Sequence, residues 1–159
     1  KDFENRLDKD ETTCEKDLTY MPMISEIARF YIKNNCEVDA VDLFLDLNYH
    51  EQLDEFVDEQ NINKICLYLK QCTYYMVKED YLEVNRFLYC IYLRFHLAVE
   101  SFMAACRALD VELFHDILLK VVDEREVYQL SSLDSTQLQL QLCYMLAHYG
   151  IYYCFSEEH

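Results

Sequence analysis

Glycine and proline are nearly missing from this sequence, which has one of each among 159 residues. Phosphate-binding loops, dinucleotide-binding fingerprints and two-residue β-hairpins need glycine where the backbone takes positive φ or lies close to a ligand. The sequence excludes these three kinds of motif. Because proline interrupts helices and none follows Pro22, helix can follow helix through polar joints such as Asn34-Asn35. The composition therefore predicts an all-α protein.

Basic residues are also scarce, with fourteen Lys and Arg against thirty Asp and Glu and a formal net charge of −16. Nucleic-acid binding depends on Lys and Arg displacing counterions from phosphates. We therefore expect no nucleic-acid partner and no anionic membrane partner. A membrane-spanning helix is not predicted either, because the apolar stretch Leu142–Phe155 is too short and contains a histidine.

Metal and disulfide motifs are missing as well, although the sequence has eight cysteines. It contains no CxxC or HExxH pair, so we predict no metal and no cofactor. Four cysteines occur among apolar residues in helical stretches, where a free thiol packs as a small hydrophobic side chain: Cys66, Cys90, Cys106 and Cys143. Without a signal peptide, we expect reduced core thiols in a reducing compartment.

The apolar content of 52% is enough for one globular core. Residues 1–18 have mixed charge and the chain does not begin with Met, so we expect a piece of a longer protein. We predict a single helical domain over residues 19–155 and a polar tail over 156–159.

Apolar residues recur at helical spacing in successive stretches. These predict helices at Met21–Asn34, from Glu37, from Glu59 to Cys72, at Tyr81–Arg94, at Leu97–Leu109 and at Val111–Val122. Asp58 and Asp110 are predicted to cap the helices that follow them. We expect Tyr81–Arg94 to be the most buried helix, because apolar residues nearly encircle it.

The run TQLQLQLCYML alternates Leu with Gln as a half-buried strand would, but its leucines also fit helical spacing. We predict a helix, because Asp134 and Gln137 resemble a capping pair and Gly150 stands where a helix would end. The segment Asp123–Asp134 is predicted as a loop or short helix. A short terminal helix is predicted at Ile151–Phe155.

Successive helices joined by short polar turns predict antiparallel helix pairs. A compact bundle and a stacked array both satisfy this pattern. The segments Ala40–Phe56 and Ala98–Ile117 share an Ala-led helix, a break and an acidic start of the next helix. This similarity favours stacking, so we predict an all-α, solenoid-like array of antiparallel helix pairs.

The strongest charge asymmetry lies between Asn34 and Asn63, where nine acids occur without a Lys or Arg. A solvated helix face is the simpler interpretation of such a pattern. The alternative is an acidic docking face for a basic partner, with five candidate residues: Asp39, Asp42, Asp46, Glu51 and Asp54. No catalytic residue is predicted, since no nucleophile, base and acid occur at a recognisable spacing.

Several runs resemble those of a known family: Ala40 with Asp42 and Leu43, DEQN at Asp58–Asn61, ICLYL at Ile65–Leu69 with Cys72, ELFHDI at Glu112–Ile117, and MLAHYGIYY from Met145. They are similar to the amino-terminal helical region of the large non-ATPase scaffold subunits in the base of the proteasome regulatory particle. The resemblance is densest over 30–72, looser over 85–155 and absent before Thr19. Residues 123–134 look like an insertion relative to the family.

The resemblance implies a non-catalytic scaffold segment, in cytoplasm and nucleus, that supports assembly on the ATPase ring and ubiquitin-dependent degradation. The implied partners are other proteasome subunits, especially the ATPases. Ubiquitin-like shuttle proteins and a deubiquitinase would bind parts of the subunit outside this chain, since the family's Gly- and Ala-rich repeats are missing here. The alternatives are a helical-repeat adaptor of another intracellular complex and, less favoured, a Cys-dependent enzyme with a distal His.

Overall fold

The structure is a computed structural model that describes residues 20–123 and 132–150. Its helices are α1 at 20–33, α2 at Glu37–Asp46, a 3₁₀ helix at His50–Phe56, α3 at Ile62–Cys72, a 3₁₀ turn at Thr73–Tyr75, α4 at Lys78–Arg94, α5 at Ala98–Ala108, α6 at Val111–Asp123 and α7 at Ser132–His148. The predicted all-α class is confirmed. The predicted segments at 1–18, 151–155 and 156–159 lie outside the described residues, as do both predicted domain limits.

Four joints between these helices share one geometry, and we call them αL joints. Each places a non-glycine residue in the left-handed region: Asn35, Asn48 and His96 at φ 57° and Leu109 at φ 52°. At each joint the amide of this residue donates to the carbonyl three residues before it, and the amide of the next residue donates to the carbonyl five residues before that next residue. These paired bonds form Schellman motifs, which satisfy the last carbonyl groups of a helix. The next helix begins two residues after the left-handed residue, so the chain turns from helix to helix without glycine.

The chain divides into two compact units, with the boundary between Ile65 and Cys66 inside α3. The first unit buries nine apolar residues: Ile24, Ala28, Ala40, Val41, Phe44, Leu53, Val57, Ile62 and Ile65. Helix α2 packs against the 3₁₀ helix that follows it, where the rings of Phe44 and Phe56 lie 5.5 Å apart. Two apolar residues that stand at helical spacing in the sequence, Ile27 of α1 and Val38 of α2, are exposed. Neighbouring small residues, Ala28 and Ala40, occupy the buried positions.

In the second unit, successive helices pack on one another: α4 on α5, α5 on α6 and α6 on α7. This confirms the predicted pairing of successive helices. The most buried of them is α5, with seven buried residues in eleven against six in seventeen for α4. The expectation for α4 was therefore wrong. Helix α5 contains four Ala and one Ser, and these small side chains let α4, α6 and α7 all approach it.

The helix starts match the sequence signals only in part. Asp110 caps α6 as predicted, because its Oδ1 accepts from the amides of Glu112 and Leu113 at 3.2 and 3.5 Å. Asp58 does not cap a helix at Glu59; it accepts two amides in a turn, and α3 begins at Ile62. The predicted cap at Asp134 was wrong as well, since α7 begins at Ser132.

The ambiguous Leu-Gln run forms helix α7, as predicted. Leu142 and Leu146 are buried, and the helix ends before Gly150 at φ 67°. Of the four cysteines expected in the core, Cys66 and Cys106 are buried while Cys90 and Cys143 are exposed. Among the helices within 20–123 and 132–150, none has the length and apolarity needed to cross a bilayer.

Candidate functional site

Helix α2 carries three of the five residues of the acidic docking face. Asp39, Asp42 and Asp46 are spaced by three and four residues, so they align along one side of the helix. The buried residues of α2 form a second stripe: Glu37, Ala40, Val41 and Phe44. At 100° per residue the two stripes are separated by roughly 180°. Helix α2 therefore directs these carboxylates away from the core of the first unit.

The 3₁₀ helix carries the other two residues. With three residues per turn, Glu51 lies in line with Asp54, about a third of a turn from the buried pair His50 and Leu53. Glu51 is exposed, as are Asp39 and Asp46 on α2, whereas Asp42 and Asp54 are half-buried. The five carboxylates thus form two rows, one on α2 and one on the 3₁₀ helix, and these two helices pack together within the first unit.

The charge of this unit is poorly compensated. Residues 20–65 contain ten acids and three bases. Arg29 pairs with Glu26 at 2.8 Å and also lies over the Phe56 ring, while Lys64 pairs with Glu37 at 2.8 Å. Within the described part of the chain, three members of the acidic docking face form no ion pair: Asp39, Asp46 and Glu51. Their charge is available to an external partner.

Glu37 belongs to the same acidic run, but it has a different role. Its side chain is 9% exposed, and its carboxylate accepts a hydrogen bond from Lys64 Nζ. This bond is the main reason why the pKa of Glu37 is lowered from its usual value. Glu37 also stands in the first turn of α2, where a negative charge complements the helix dipole. Sequence analysis missed the pair, because a separation of 27 residues leaves no local signal.

Two apolar side chains are exposed near the acidic docking face. Val38 begins α2 with 44% of its surface exposed, and Leu47 follows α2 with 40% exposed. Protein interfaces combine apolar contact with charges that steer the partner and fix its register. The chemistry of this face therefore suits a basic, partly apolar partner. Whether the five acids bind such a partner stays a prediction.

Two of the described thiols, those of Cys66 and Cys106, are buried, which makes them poor nucleophiles. Burial raises the pKa of Cys66 to about 12 and that of Cys106 to about 12, so both thiols stay protonated near neutral pH. In residues 20–123 and 132–150, no group of three or more His, Cys, Asp or Glu side chains is placed to hold a metal ion.

Polar contacts in the second unit tie α4 to α6. Arg86 Nε donates to Asp110 Oδ2 at 3.0 Å, so Asp110 pairs with α4 while it caps α6. Further along, Tyr89 and Lys120 both donate to Asp116 Oδ2. Partial burial opposes ionisation of Asp116, but these two hydrogen bonds hold its pKa below the usual value. We assign these contacts to the fold, since every partner lies within the unit.

Comparison with known proteins gives a consistent result. A family model described as the RPN1 N-terminal domain matches residues 1–159, including the first 18 residues, where sequence analysis saw no resemblance. The 26S proteasome non-ATPase regulatory subunit 2 homolog A of Arabidopsis thaliana is 31% identical over 138 residues, 87% of this chain and 14% of that protein. The 26S proteasome non-ATPase regulatory subunit 2 of Dictyostelium discoideum is 27% identical over 121 residues, 76% of this chain and 13% of its own length. In Neurospora crassa, the 26S proteasome regulatory subunit rpn-1 is 26% identical over 149 residues, 94% of this chain and 15% of its own length.

Proposed function

This chain belongs to the RPN1 N-terminal domain family, and from that premise we propose that it is a non-catalytic scaffold segment of the base of the 26S proteasome regulatory particle. The observation that carries the proposal is the family match over residues 1–159, supported by relatives named as regulatory subunits of the 26S proteasome. The chain spans 13–15% of the length of these relatives. Its work would be done in the cytoplasm and nucleus.

The partners in this proposal are other proteasome subunits, above all the ATPase ring. The acidic docking face supports it, because the carboxylates of Asp39, Asp46 and Glu51 form no ion pair within the described residues, and Val38 and Leu47 are exposed near them. Such a surface would capture a basic segment of a neighbouring subunit and hold it in register. The chain would contribute to ubiquitin-dependent degradation by holding neighbouring subunits in place. Ubiquitin-like shuttle proteins and a deubiquitinase would bind other parts of the full subunit.

A pull-down tests the proposal, with the 159-residue chain as bait for purified proteasome ATPase subunits and, in parallel, for ubiquitin and ubiquitin-like domains. We expect capture of an ATPase subunit and no capture of ubiquitin. Because screening weakens charge attraction, capture should fall steeply above about 0.1 M salt. Ubiquitin capture would contradict the placement of the receptor sites outside this chain. Loss of all capture at low salt would contradict docking through this segment.

A charge-neutralised variant tests the docking face itself. Its five substitutions are Asp39→Asn, Asp42→Asn, Asp46→Asn, Glu51→Gln and Asp54→Asn. A matched control neutralises five exposed acids of the second unit: Glu79, Asp80, Glu83, Glu100 and Glu112. Both variants change the net charge equally, so we expect only the first to lose ATPase capture. Equal capture by both variants would make the acidic docking face an ordinary solvated surface.

The lack of catalysis is also part of the proposal, and thiol alkylation tests it. A Cys-dependent enzyme needs one thiol with a depressed pKa, which reacts much faster than the others. The raised pKa values of Cys66 and Cys106 support the opposite expectation of uniformly slow thiols. One cysteine that alkylates near pH 7 more than about tenfold faster than the thiol of an unstructured model peptide would favour the enzyme hypothesis, because exposure alone cannot produce that rate.

A further inference from the structure

The turn between α3 and α4 carries the two most exposed Tyr or Phe side chains in the part of the chain that the structure describes. Tyr74 is 78% exposed and Tyr75 is 93% exposed, both within the 3₁₀ turn Thr73–Tyr75. Val77, which immediately precedes α4, is 62% exposed. We call Tyr74, Tyr75 and Val77 the tyrosine patch. Large apolar side chains exposed together in one short segment are typical of an interaction site.

The segment that carries the tyrosine patch has a charge opposite to that of the whole chain. Residues 66–78 contain two Lys and no Asp or Glu, although the net charge of the chain is −16. One of the two, Lys78, is exposed and begins α4 directly after the patch. The acidic docking face belongs to the first unit and the tyrosine patch to the second, so the patch is a different surface with different chemistry.

Two cations lie near a third tyrosine, Tyr81 of α4. The 3₁₀ turn packs on α4, and Tyr81 interacts electrostatically with Tyr74 of that turn and with Arg107 at the end of α5. Burial raises the pKa of Tyr81, and the guanidinium of Arg107 opposes that shift. Lys78 stands three residues before Tyr81, so it lies on the same side of α4. Among the residues that the structure describes, neither Lys78 nor Arg107 forms an ion pair.

The acids at the start of α4 do not neutralise this side of the helix. At 100° per residue, Glu79, Asp80 and Glu83 are centred roughly 180° around the helix axis from Lys78 and Tyr81. A carboxylate that contacts the Lys78 side of α4 is therefore close to two cations, while the acids of α4 point away from it. At about 0.15 M salt the Debye length is about 8 Å, so more distant exposed acids are largely screened.

We propose that the tyrosine patch, together with Lys78 and Arg107, binds an acidic segment of a partner protein. The carboxylates of that segment pair with the two cations and accept hydrogen bonds from the tyrosine hydroxyl groups. Its apolar side chains pack on the tyrosine rings, because tyrosine offers a large apolar surface beside a polar group. This proposal does not rest on the proposed function, in which the acidic docking face takes a basic partner.

Fluorescence anisotropy tests the proposal with the intact 159-residue chain and three labelled peptides. The first peptide alternates Glu with Leu, the second has Gln in place of each Glu, and the third has Lys in place of each Glu. At about 0.15 M salt we expect the Glu peptide to bind at least about fivefold more tightly than the Gln peptide, because its carboxylates pair with the cations. The Lys peptide reports binding to the acidic docking face, so the two proposals can fail separately.

Two substitutions locate the binding site, each with a matched control. Tyr75→Ser and Lys78→Gln should each weaken binding of the Glu peptide at least about fivefold. The control Tyr144→Ser removes another exposed tyrosine of the second unit, and Lys33→Gln removes an exposed lysine of α1. Neither control should change the affinity more than about twofold. Because all four side chains are exposed, the variants should fold as the parent chain does, which circular dichroism checks.

The proposal is overturned if the Glu peptide binds no more tightly than the Gln peptide. It is also overturned if the two controls weaken binding as much as Tyr75→Ser and Lys78→Gln do. Analytical ultracentrifugation of the unlabelled chain tests a second copy as the occupant. Self-association that Tyr75→Ser abolishes would assign the tyrosine patch to a second copy and overturn the proposal, whereas a monomeric chain that binds the Glu peptide would support it.

Discussion

Asp110 has two roles that substitution can separate. Its Oδ1 caps α6, and its Oδ2 accepts a hydrogen bond from Arg86 of α4 at 3.0 Å. Loss of an Asp cap typically costs about 1 kcal/mol. The ion pair contributes less, about 0.5 kcal/mol, because the Arg86 side chain is 51% exposed and that of Asp110 is 22% exposed. Asp110→Ala should therefore destabilise the chain by about 1.5 kcal/mol.

The conservative variant isolates the pair. Asp110→Asn keeps an oxygen for the cap and removes the charge, so we expect a loss of only about 0.5 kcal/mol. Arg86→Met should cause a similar loss, and the double variant with Asp110→Asn should add little to it. Urea unfolding followed by circular dichroism gives the free energy of unfolding of the parent chain, the two single variants and the double variant. These free energies can be compared if the dependence of the free energy on urea concentration is the same for all four chains.

The result that would refute this reasoning is equal destabilisation by Asn and by Ala at position 110. In that case the carboxylate charge, rather than the cap geometry, would stabilise the start of α6. Glu83→Gln is a suitable control, because Glu83 is an exposed acid of α4 with no assigned contact. It should leave the unfolding free energy within about 0.5 kcal/mol of the parent chain.

Three further predictions concern the core, a joint and the pH dependence. Leu69→Ala should lower the free energy of unfolding in urea by about 2 to 5 kcal/mol, because Leu69 is fully buried. The control Leu67→Ala, at a position 55% exposed, should change it by less than about 0.5 kcal/mol. Similar values for the two variants would mean that the faces of α3 are wrongly assigned. Leu109→Ile should lower the melting temperature and Leu109→Asn should not, because a β-branched residue fits φ 52° poorly while Asn tolerates it. The pKa of Glu37 is lower in the folded chain than in the unfolded chain, so the Glu37 carboxylate stabilises the fold above the unfolded pKa near 4.5, and this effect is lost as the pH falls through the folded value. The difference in unfolding free energy between the parent chain and Glu37→Gln should therefore shrink as the pH falls below about 4.5. A difference that does not depend on pH would contradict the role of Lys64.

Apolar periodicity was enough to predict the helices, but not which side chains they bury. Helical spacing includes residues at the edges of an apolar stripe, and the packed neighbour decides whether those edges are covered. Val38 and Cys143 lie at such positions and are exposed. Asp110 was predicted as a cap because its signal is local, three residues long and chemically specific.

The parts that escaped prediction depend on contacts distant in sequence or on backbone conformation. Glu37 and Lys64 are 27 residues apart and meet only in the folded chain, and neither residue type predicts the other as its partner. The αL joint at Asn35 follows a polar signal, since Asn tolerates the left-handed region. The joint at Leu109 has no such signal, because leucine is usually read as part of the helix. The acidic docking face was predictable as a charge pattern, and its separation from the core of the first unit follows from helix geometry.

The αL joints also have a consequence for the rate of folding. Each joins two helices through about three residues, so little loop-closure entropy is lost when the second helix docks on the first. In the second unit, α4, α5 and α6 pack on their neighbours in sequence, which keeps contacts local. Helical proteins with local contacts fold in microseconds to milliseconds, whereas the ribosome adds about 5 to 20 residues per second. The α4–α5 pair is therefore expected to form during synthesis, as soon as both helices have left the ribosome.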